Sequence, residues 1–150
     1  MQPLTVFAAI LAAAGTSLAA PAAAVDKSMM VAGATWTMQS FKRTCGPLGK
    51  QCTYGYSINT NDGSAATPCT YQVNSDPAVT VAAKASYQNI KCGAFTIGST
   101  WSGQFGAGKG FQTLSVVKGS QIAYPGYTDT QLNTQQVVTP DQSYTPQNLS

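Results

Sequence analysis

The segment CTYGYSI at residues 52–58 has the cleanest alternation of large and small side chains in the sequence. Its large side chains recur at every second position, which is the period of a β-strand with one buried face. The alternation returns in CTYQV at residues 69–73, after the turn-forming Asn-Asp-Gly at 61–63. The two stretches therefore predict a β-hairpin, and the large side chains of the first one share a face: Cys52, Tyr54, Tyr56 and Ile58.

Short runs with strand character lie on both sides of this hairpin, each bounded by Gly, Pro or Asn. Trp36 and Met38 alternate with polar side chains in residues 35–41, and residues 79–85 fit either a short strand or a helical turn. Several short strands at this spacing predict an all-β domain, built as an antiparallel β-barrel or sandwich. The later strands are predicted at 93–99, 101–105, 111–118 and 121–124.

The amino-terminal residues are small or apolar, with no charged side chain before Asp26. This pattern predicts a signal peptide at residues 1–19, cleaved after Ala19 to within two residues. Its apolar run is shorter than the roughly 20 residues that span a bilayer, which disfavours a retained anchor. We expect a secreted, extracellular protein with no membrane span once the signal is removed.

The remainder of the chain has the length of one domain. We expect a flexible leader at residues 20–33, followed by the β domain at residues 34–150. From about residue 129 the sequence is rich in Gln, Thr and Pro. This composition predicts a carboxyl-terminal segment that wraps the domain without long elements of its own.

Four cysteines follow the signal peptide, and in an oxidising compartment they predict two disulfides. Three pairings are possible. We favour Cys45 with Cys52, because the Gly and Pro between them let the chain double back, and Cys69 with Cys92 as the second pair. The spacings do not match a metal site, and no metal or cofactor is expected.

Charge and composition exclude several classes of function. The chain has no His and no Glu, so the usual general base and the usual zinc ligand are missing. The net charge of +3 is scattered along the chain, which does not favour nucleic-acid binding. We expect no catalytic residues and no enzyme activity.

Three patterns that could carry chemistry are better explained as turns. GQFGAGKG at residues 103–110 has Gly where a phosphate loop needs Ser or Thr, and no helical pattern follows it. NTNDG at residues 59–63 has one carboxylate, too few for a calcium site. A glycosidase pair drawn from the five Asp residues, such as Asp76 and Asp129, is disfavoured by their turn-like or tail contexts.

Aromatic side chains remain as candidate binding groups. Most should be core residues, but exposed rings in a row could stack on sugars. This gives an alternative function, a cell-wall carbohydrate-binding module. Its candidate residues are Tyr54, Tyr56, Trp101 and Tyr127.

Three further motifs carry a resemblance to a known family: YQVNSD at 71–76, IKCGAF at 90–95 and VVTPDQSY at 137–144. With the signal peptide, the early Trp and the four cysteines, the chain resembles the hypersensitive-response-inducing elicitors, small secreted proteins of ascomycete fungi. The resemblance covers essentially the whole chain after the signal peptide, and the 137–144 motif is its most specific part. The spacing of Cys69 and Cys92 is also similar to that of the major secreted allergens of moulds, which supports pairing those two cysteines.

The elicitor resemblance implies a β-barrel domain that plants perceive and answer with defence responses and local cell death. It implies a non-catalytic protein whose partner is an unidentified plant receptor, outside the cell or at the plasma membrane. A cell-wall polysaccharide is the second candidate partner. No recognition motif of the family can be assigned to particular residues of this chain.

Overall fold

A computed structural model describes residues 35–150, and the predictions for Ala19, the signal peptide and residues 20–33 lie outside this part of the chain. The described residues form ten strands joined by turns and loops, with little helix. The elements are β1 (Trp36–Cys45), β2 (Gln51–Asn59), β3 (Thr67–Asn74), a 3-10 turn (Ala82–Lys84), β4 (Tyr87–Cys92), β5 (Phe95–Ser102), β6 (Phe111–Lys118), β7 (Gln121–Ala123), β8 (Gly126–Thr128), α1 (Asp129–Leu132), β9 (Gln142–Tyr144) and β10 (Gln147–Asn148).

The first sheet has four antiparallel strands in the order β3-β2-β1-β9. The predicted hairpin forms one side of this sheet and is confirmed, because β2 pairs with β3 along its length and Tyr54 lies opposite Tyr71. Every second residue of β2 is buried, as its period indicates. This sheet therefore presents one face of large side chains to the interior.

The second sheet has the order β10-β7-β6-β5-β4, with β8 beside β6. Within residues 35–150 no hydrogen-bonded ladder joins it to the first sheet. The Cys69–Cys92 disulfide links β3 to β4 across the gap instead. Of the two predicted architectures, the structure is thus the sandwich. The barrel implied by the elicitor resemblance is not formed, because the edge strands β3 and β4 share no ladder that would close the sheets.

Three local predictions are refined by the structure. Residues 79–85 contain the 3-10 turn and no strand of the sheets. The predicted strand at 101–105 ends at Ser102, because the glycine-rich loop begins there. Strand β4 was not predicted, since a bulge between Tyr87 and Ile90, with Asn89 at a φ of 62°, breaks its two-residue period.

The core between the sheets contains a hydrogen-bonded group of tyrosines. The Tyr71 hydroxyl shares hydrogen bonds of 3.0 Å with the Tyr56 hydroxyl and 2.9 Å with the Tyr87 hydroxyl. The buried amide of Gln112 donates to the Tyr54 hydroxyl at 3.0 Å and to Ser99 Oγ at 2.8 Å. These bonds satisfy polar groups that would otherwise be costly to bury.

The carboxyl-terminal segment runs from one sheet to the other. Thr128 caps α1 through a reciprocal hydrogen-bond pair with Gln131. Val138 is buried, and its N–H donates to the Phe41 carbonyl at 2.8 Å. Strands β9 and β10 then join the first and second sheets respectively. None of the helices in residues 35–150 is long and apolar enough to cross a membrane.

The two disulfides should differ in their contribution to stability. Cys45 and Cys52 face each other across the β1–β2 hairpin, whereas Cys69–Cys92 joins the two sheets. From the lengths of the closed loops, replacing Cys69 and Cys92 by Ala should lower the free energy of unfolding by about 3.4 kcal/mol, against about 2.5 kcal/mol for Cys45 and Cys52. Urea unfolding of both double variants measures this, and a larger loss for the Cys45–Cys52 variant would contradict it.

The tyrosine core predicts a loss of stability at high pH. Burial raises the pKa of Tyr54, Tyr56, Tyr71 and Tyr87. Their contribution to stability is therefore complete below about pH 10, the unfolded pKa, and is lost above it, because the unfolded chain releases protons that the folded core retains. Above about pH 10.5 the free energy of unfolding, measured with urea, should fall as the pH rises. Tyr71→Phe should make this fall less steep by about 1.4 kcal/mol per pH unit. An unchanged steepness would show that Tyr71 does not retain its proton in the folded core.

Candidate functional site

Three segments of the chain meet at one end of the sandwich around an open cleft of about 430 Å³. They are the β1–β2 turn at 46–50, the residues around the 3-10 turn at 81–84, and α1 with the residues that follow it, 129–135. The β5–β6 loop at 103–110 lies beside α1, where the Asp129 N–H donates to the Gly110 carbonyl at 2.9 Å. We call these four segments, together with the Arg43 and Trp101 side chains that contact them, the loop end.

The β1–β2 turn is held in place by covalent and backbone constraints. The structure joins Cys45 to Cys52 at its base. Gly49 has a φ of +69°, which favours glycine, and its carbonyl accepts a hydrogen bond of 2.7 Å from the Ala82 N–H. The turn is thereby fixed against the 3-10 turn and forms one wall of the cleft.

Arg43 reaches the floor of the cleft because β1 contains a bulge. Trp36 and Met38 are buried at even positions, but the register shifts between Gln39 and Lys42, and Phe41 and Arg43 are then buried at odd positions. A regular strand would have turned Arg43 to solvent. The bulge instead leaves its side chain only 2% exposed.

The buried guanidinium of Arg43 has incomplete hydrogen bonding. Its Nη2 donates to Asn133 Oδ1 at 2.7 Å, and its Nη1 donates to the Ala83 carbonyl at 3.4 Å. Asp129 Oδ1 lies 3.9 Å from Nη1, close enough for an ion pair but not for a hydrogen bond. Neither Arg43 Nε nor Asp129 Oδ1 has a hydrogen-bond partner within residues 35–150.

Asp129 connects this pair to Trp101. Its second oxygen accepts a hydrogen bond of 2.9 Å from the Trp101 indole N–H, and the Lys84 ammonium lies 4.9 Å from the centre of the indole ring. Gly110 allows this packing, because a Cβ at that position would lie 2.6 Å from the ring. The loop end thus has two cations, one carboxylate and a tryptophan within one contact network.

The structure buries three of the four aromatic residues proposed to bind sugars. Tyr54, Tyr56 and Tyr127 are at most 6% exposed, because they fill the space between the sheets. Those three predictions are therefore wrong, since a buried ring cannot present its face to a sugar. Trp101 lies at the loop end and is half-buried. Among residues 35–150, the large apolar side chains that are exposed are Leu48, Phe105, Tyr124, Val137 and Leu149.

The other candidate motifs are also placed by the structure. Residues 103–110 form the loop between β5 and β6. Asp62 accepts hydrogen bonds from the Ser64 N–H and the Ser64 and Thr60 hydroxyls, which hold the pKa of its carboxyl well below its usual range. Within residues 35–150 no group of three or more His, Cys, Asp and Glu side chains could hold a metal ion.

Comparison with known proteins places this architecture in a family. The family model Effector TSP1 matches residues 37–149, a range that includes the loop end and all ten strands apart from Trp36, the first residue of β1. The chain belongs to the Effector TSP1 family. A curated Effector TSP1 from Hypocrea virens (strain Gv29-8 / FGSC 10586) is 43% identical over 151 residues, and the match covers 99% of both chains. The expectation of a fungal effector family is therefore confirmed.

In this Effector TSP1 family member the Arg43–Asp129 pair was not predicted. The two residues are far apart in the sequence, and the bulge that turns Arg43 inward lies within a run that reads as a regular strand. A signal was nevertheless present in Ser40-Phe41, where the apolar position shifts by one residue relative to Trp36 and Met38. That shift indicates a bulge in the strand, after which the side chain of residue 43 faces the interior.

Removing the carboxylate of Asp129 should destabilise the fold. Asp129→Ala leaves the buried Arg43 without a neighbouring negative charge and removes the acceptor of the Trp101 indole. Because an unpaired buried charge is costly, we expect the free energy of unfolding to fall by about 3 kcal/mol. Urea unfolding measures the change.

Asp76→Ala is the matched control, because the exposed Asp76 accepts only the Ala78 N–H of its own turn. Its loss should be about 1 kcal/mol or less. Equal losses in the two variants would show that the Arg43–Asp129 pair does not stabilise the fold.

Proposed function

We propose that this chain is a secreted, non-catalytic fungal effector that plants perceive through its folded surface, with defence responses and hypersensitive cell death as the outcome. The observation that carries the proposal is the match to an effector family along residues 37–149. Secretion is supported by the apolar leader before Asp26 and by two disulfides, which persist in extracellular proteins. The product acts in the host apoplast or at the fungal wall.

A role without catalysis is supported by how the carboxylates are used. Asp62, Asp76, Asp129 and Asp141 each accept a hydrogen bond from the chain's own groups, and Asp141 holds the Ser40 N–H at 2.9 Å. The sequence has no His and no Glu to act as an acid or base in their place. We therefore assign the activity to surface recognition.

The loop end is our candidate surface for the plant receptor. Leu48 is 80% exposed and Phe105 is 63% exposed, although both are apolar. Exposed large apolar side chains mark binding surfaces when charged groups surround them. Lys50, Lys84 and Lys109 are exposed in the same segments. The surface would fit a receptor that is acidic and offers an apolar depression, outside the plant cell or at the plasma membrane.

Leaf infiltration tests the function directly. The full chain is expressed in a secreting yeast, the protein is purified from the medium, and leaves receive it either oxidised or reduced and alkylated at its four cysteines. We expect an oxidative burst and cell death from the oxidised protein alone, because the disulfides hold the folded surface together. Equal responses would indicate a linear epitope, and no response to either form over a wide dose range would end the proposal.

Surface variants test the assignment to the loop end. A double variant, Leu48→Ser and Phe105→Ser, should stay folded with only a small drop in its unfolding midpoint, from the lost stacking of Phe105 on Phe111. It should reduce the leaf response at least about tenfold, as the loss of interface anchors does. Tyr124→Ser is the matched control, because Tyr124 is 51% exposed but lies beside the β5–β6 face outside the loop end. If both variants keep the full response, the receptor binds elsewhere.

A further inference from the structure

On one edge of the Arg43 guanidinium, only one of the two N–H groups is hydrogen-bonded. The Nε and Nη2 groups point in the same direction and form the fork that binds a carboxylate with two parallel hydrogen bonds. In the structure Nη2 donates to the amide oxygen of Asn133, and Nε has no partner within residues 35–150. A single amide oxygen thus occupies a position that a two-oxygen acceptor would fill completely.

Asn133 is placed so that it can leave this position. Its side chain is exposed at the end of α1, whereas Arg43 is 2% exposed and held from the other side by Ala83. A charged acceptor binds a guanidinium more strongly than a neutral amide does. A carboxylate that enters the cleft can therefore displace Asn133 and satisfy Nε and Nη2 together.

We propose that the cleft at the loop end binds a small organic acid that also carries hydroxyl groups, with the carboxylate on Arg43. This inference goes beyond the effector role and does not rest on it. It assigns to the cleft a ligand of sugar-acid type, recognised by polar contacts and not by aromatic stacking.

The size and charge of the cleft agree with this ligand. A volume of about 430 Å³ is within the range of small-molecule sites and is large enough for a monosaccharide. Arg43 and Lys84 line it with two positive charges against one negative charge from Asp129. Apolar contacts from Val81, Ala83 and Leu132 complete the walls.

The hydroxyl groups follow from Asp129. Its Oδ1 is an acceptor without a hydrogen-bond partner in the described residues, so it needs a donor that a simple carboxylate cannot supply. A hydroxyl on the same ligand supplies that donor. Binding at Asp129 should also change the environment of the Trp101 indole N–H, because that N–H donates a hydrogen bond to the second oxygen of Asp129.

The two tryptophans provide a reporter and its internal control. Trp101 belongs to the loop end, whereas Trp36 is 3% exposed, packs edge-on against Phe95 and lines a different cleft. Nitrogen-15 correlation spectra of the labelled protein resolve the two indole N–H signals. D-galacturonate should shift the Trp101 signal in a saturable way and leave the Trp36 signal in place.

Matched probes separate the contributions of acid and hydroxyl. D-galactose has the same ring with the carboxylate replaced by a hydroxymethyl group, and cyclohexanecarboxylate keeps the acid and loses the ring hydroxyls. We expect galacturonate to bind most tightly and galactose most weakly. Equal binding of galactose and galacturonate would overturn the carboxylate assignment, and equal binding of the two acids would overturn the hydroxyl assignment.

Two variants distinguish the proposal from a structural role of the same residues. Asn133→Ala should bind galacturonate about tenfold more tightly, because the competing acceptor on Arg43 is gone. Lys84→Gln should bind about fivefold more weakly, whereas Lys118→Gln, the same change in the other cleft, should not alter the Kd. No shift of the Trp101 signal up to about 50 mM galacturonate, or weaker binding by Asn133→Ala, would refute the proposal.

Discussion

The bulge at Ser40 in β1 sets the packing of the aromatic core and of the carboxyl-terminal segment. Ser40 has a φ of 54°, and Asp141 holds its N–H. The bulge turns Phe41 inward, where its ring stacks on Tyr56 and Tyr127 at centroid distances of 4.7 and 4.0 Å. It also exposes the Phe41 carbonyl to the N–H of Val138, which docks the carboxyl-terminal segment. This one bulge in the first sheet therefore provides contacts both to the aromatic core and to the carboxyl-terminal segment.

The same bulge determines the character of the loop end. By turning Arg43 inward it places a charge at the bottom of a cleft whose walls come from three other parts of the chain. A buried charge is tolerated only with compensating partners, and here Asp129 and Asn133 supply them incompletely. The unmet hydrogen bonds are a reason to regard the cleft as a binding site and not as a surface irregularity.

Family membership and structure answer different questions about this effector. The family match covers the domain and identifies it as a fungal effector, but it does not say which surface acts. The structure shows a sandwich closed by one inter-sheet disulfide and by a hydrogen-bonded tyrosine core. Such a domain presents its loops in one arrangement, which suits recognition by a partner. The exposed Leu48 and Phe105 and the cleft beside Asp129 lie on the same end.

Local sequence was enough to predict the all-β class, the β2–β3 hairpin and the turn character of the Gly-rich loop, because two-residue periodicity and turn chemistry are local properties. The tertiary structure decided which side chains are exposed. Tyr54, Tyr56 and Tyr127 are large aromatics that local sequence cannot assign to core or surface, and they are buried because the two sheets pack against each other. It also decided the pairing of Arg43 with Asp129. Their contact requires the β1 bulge and the return of the chain after β8. No pattern within a few residues of sequence encodes that return of the chain.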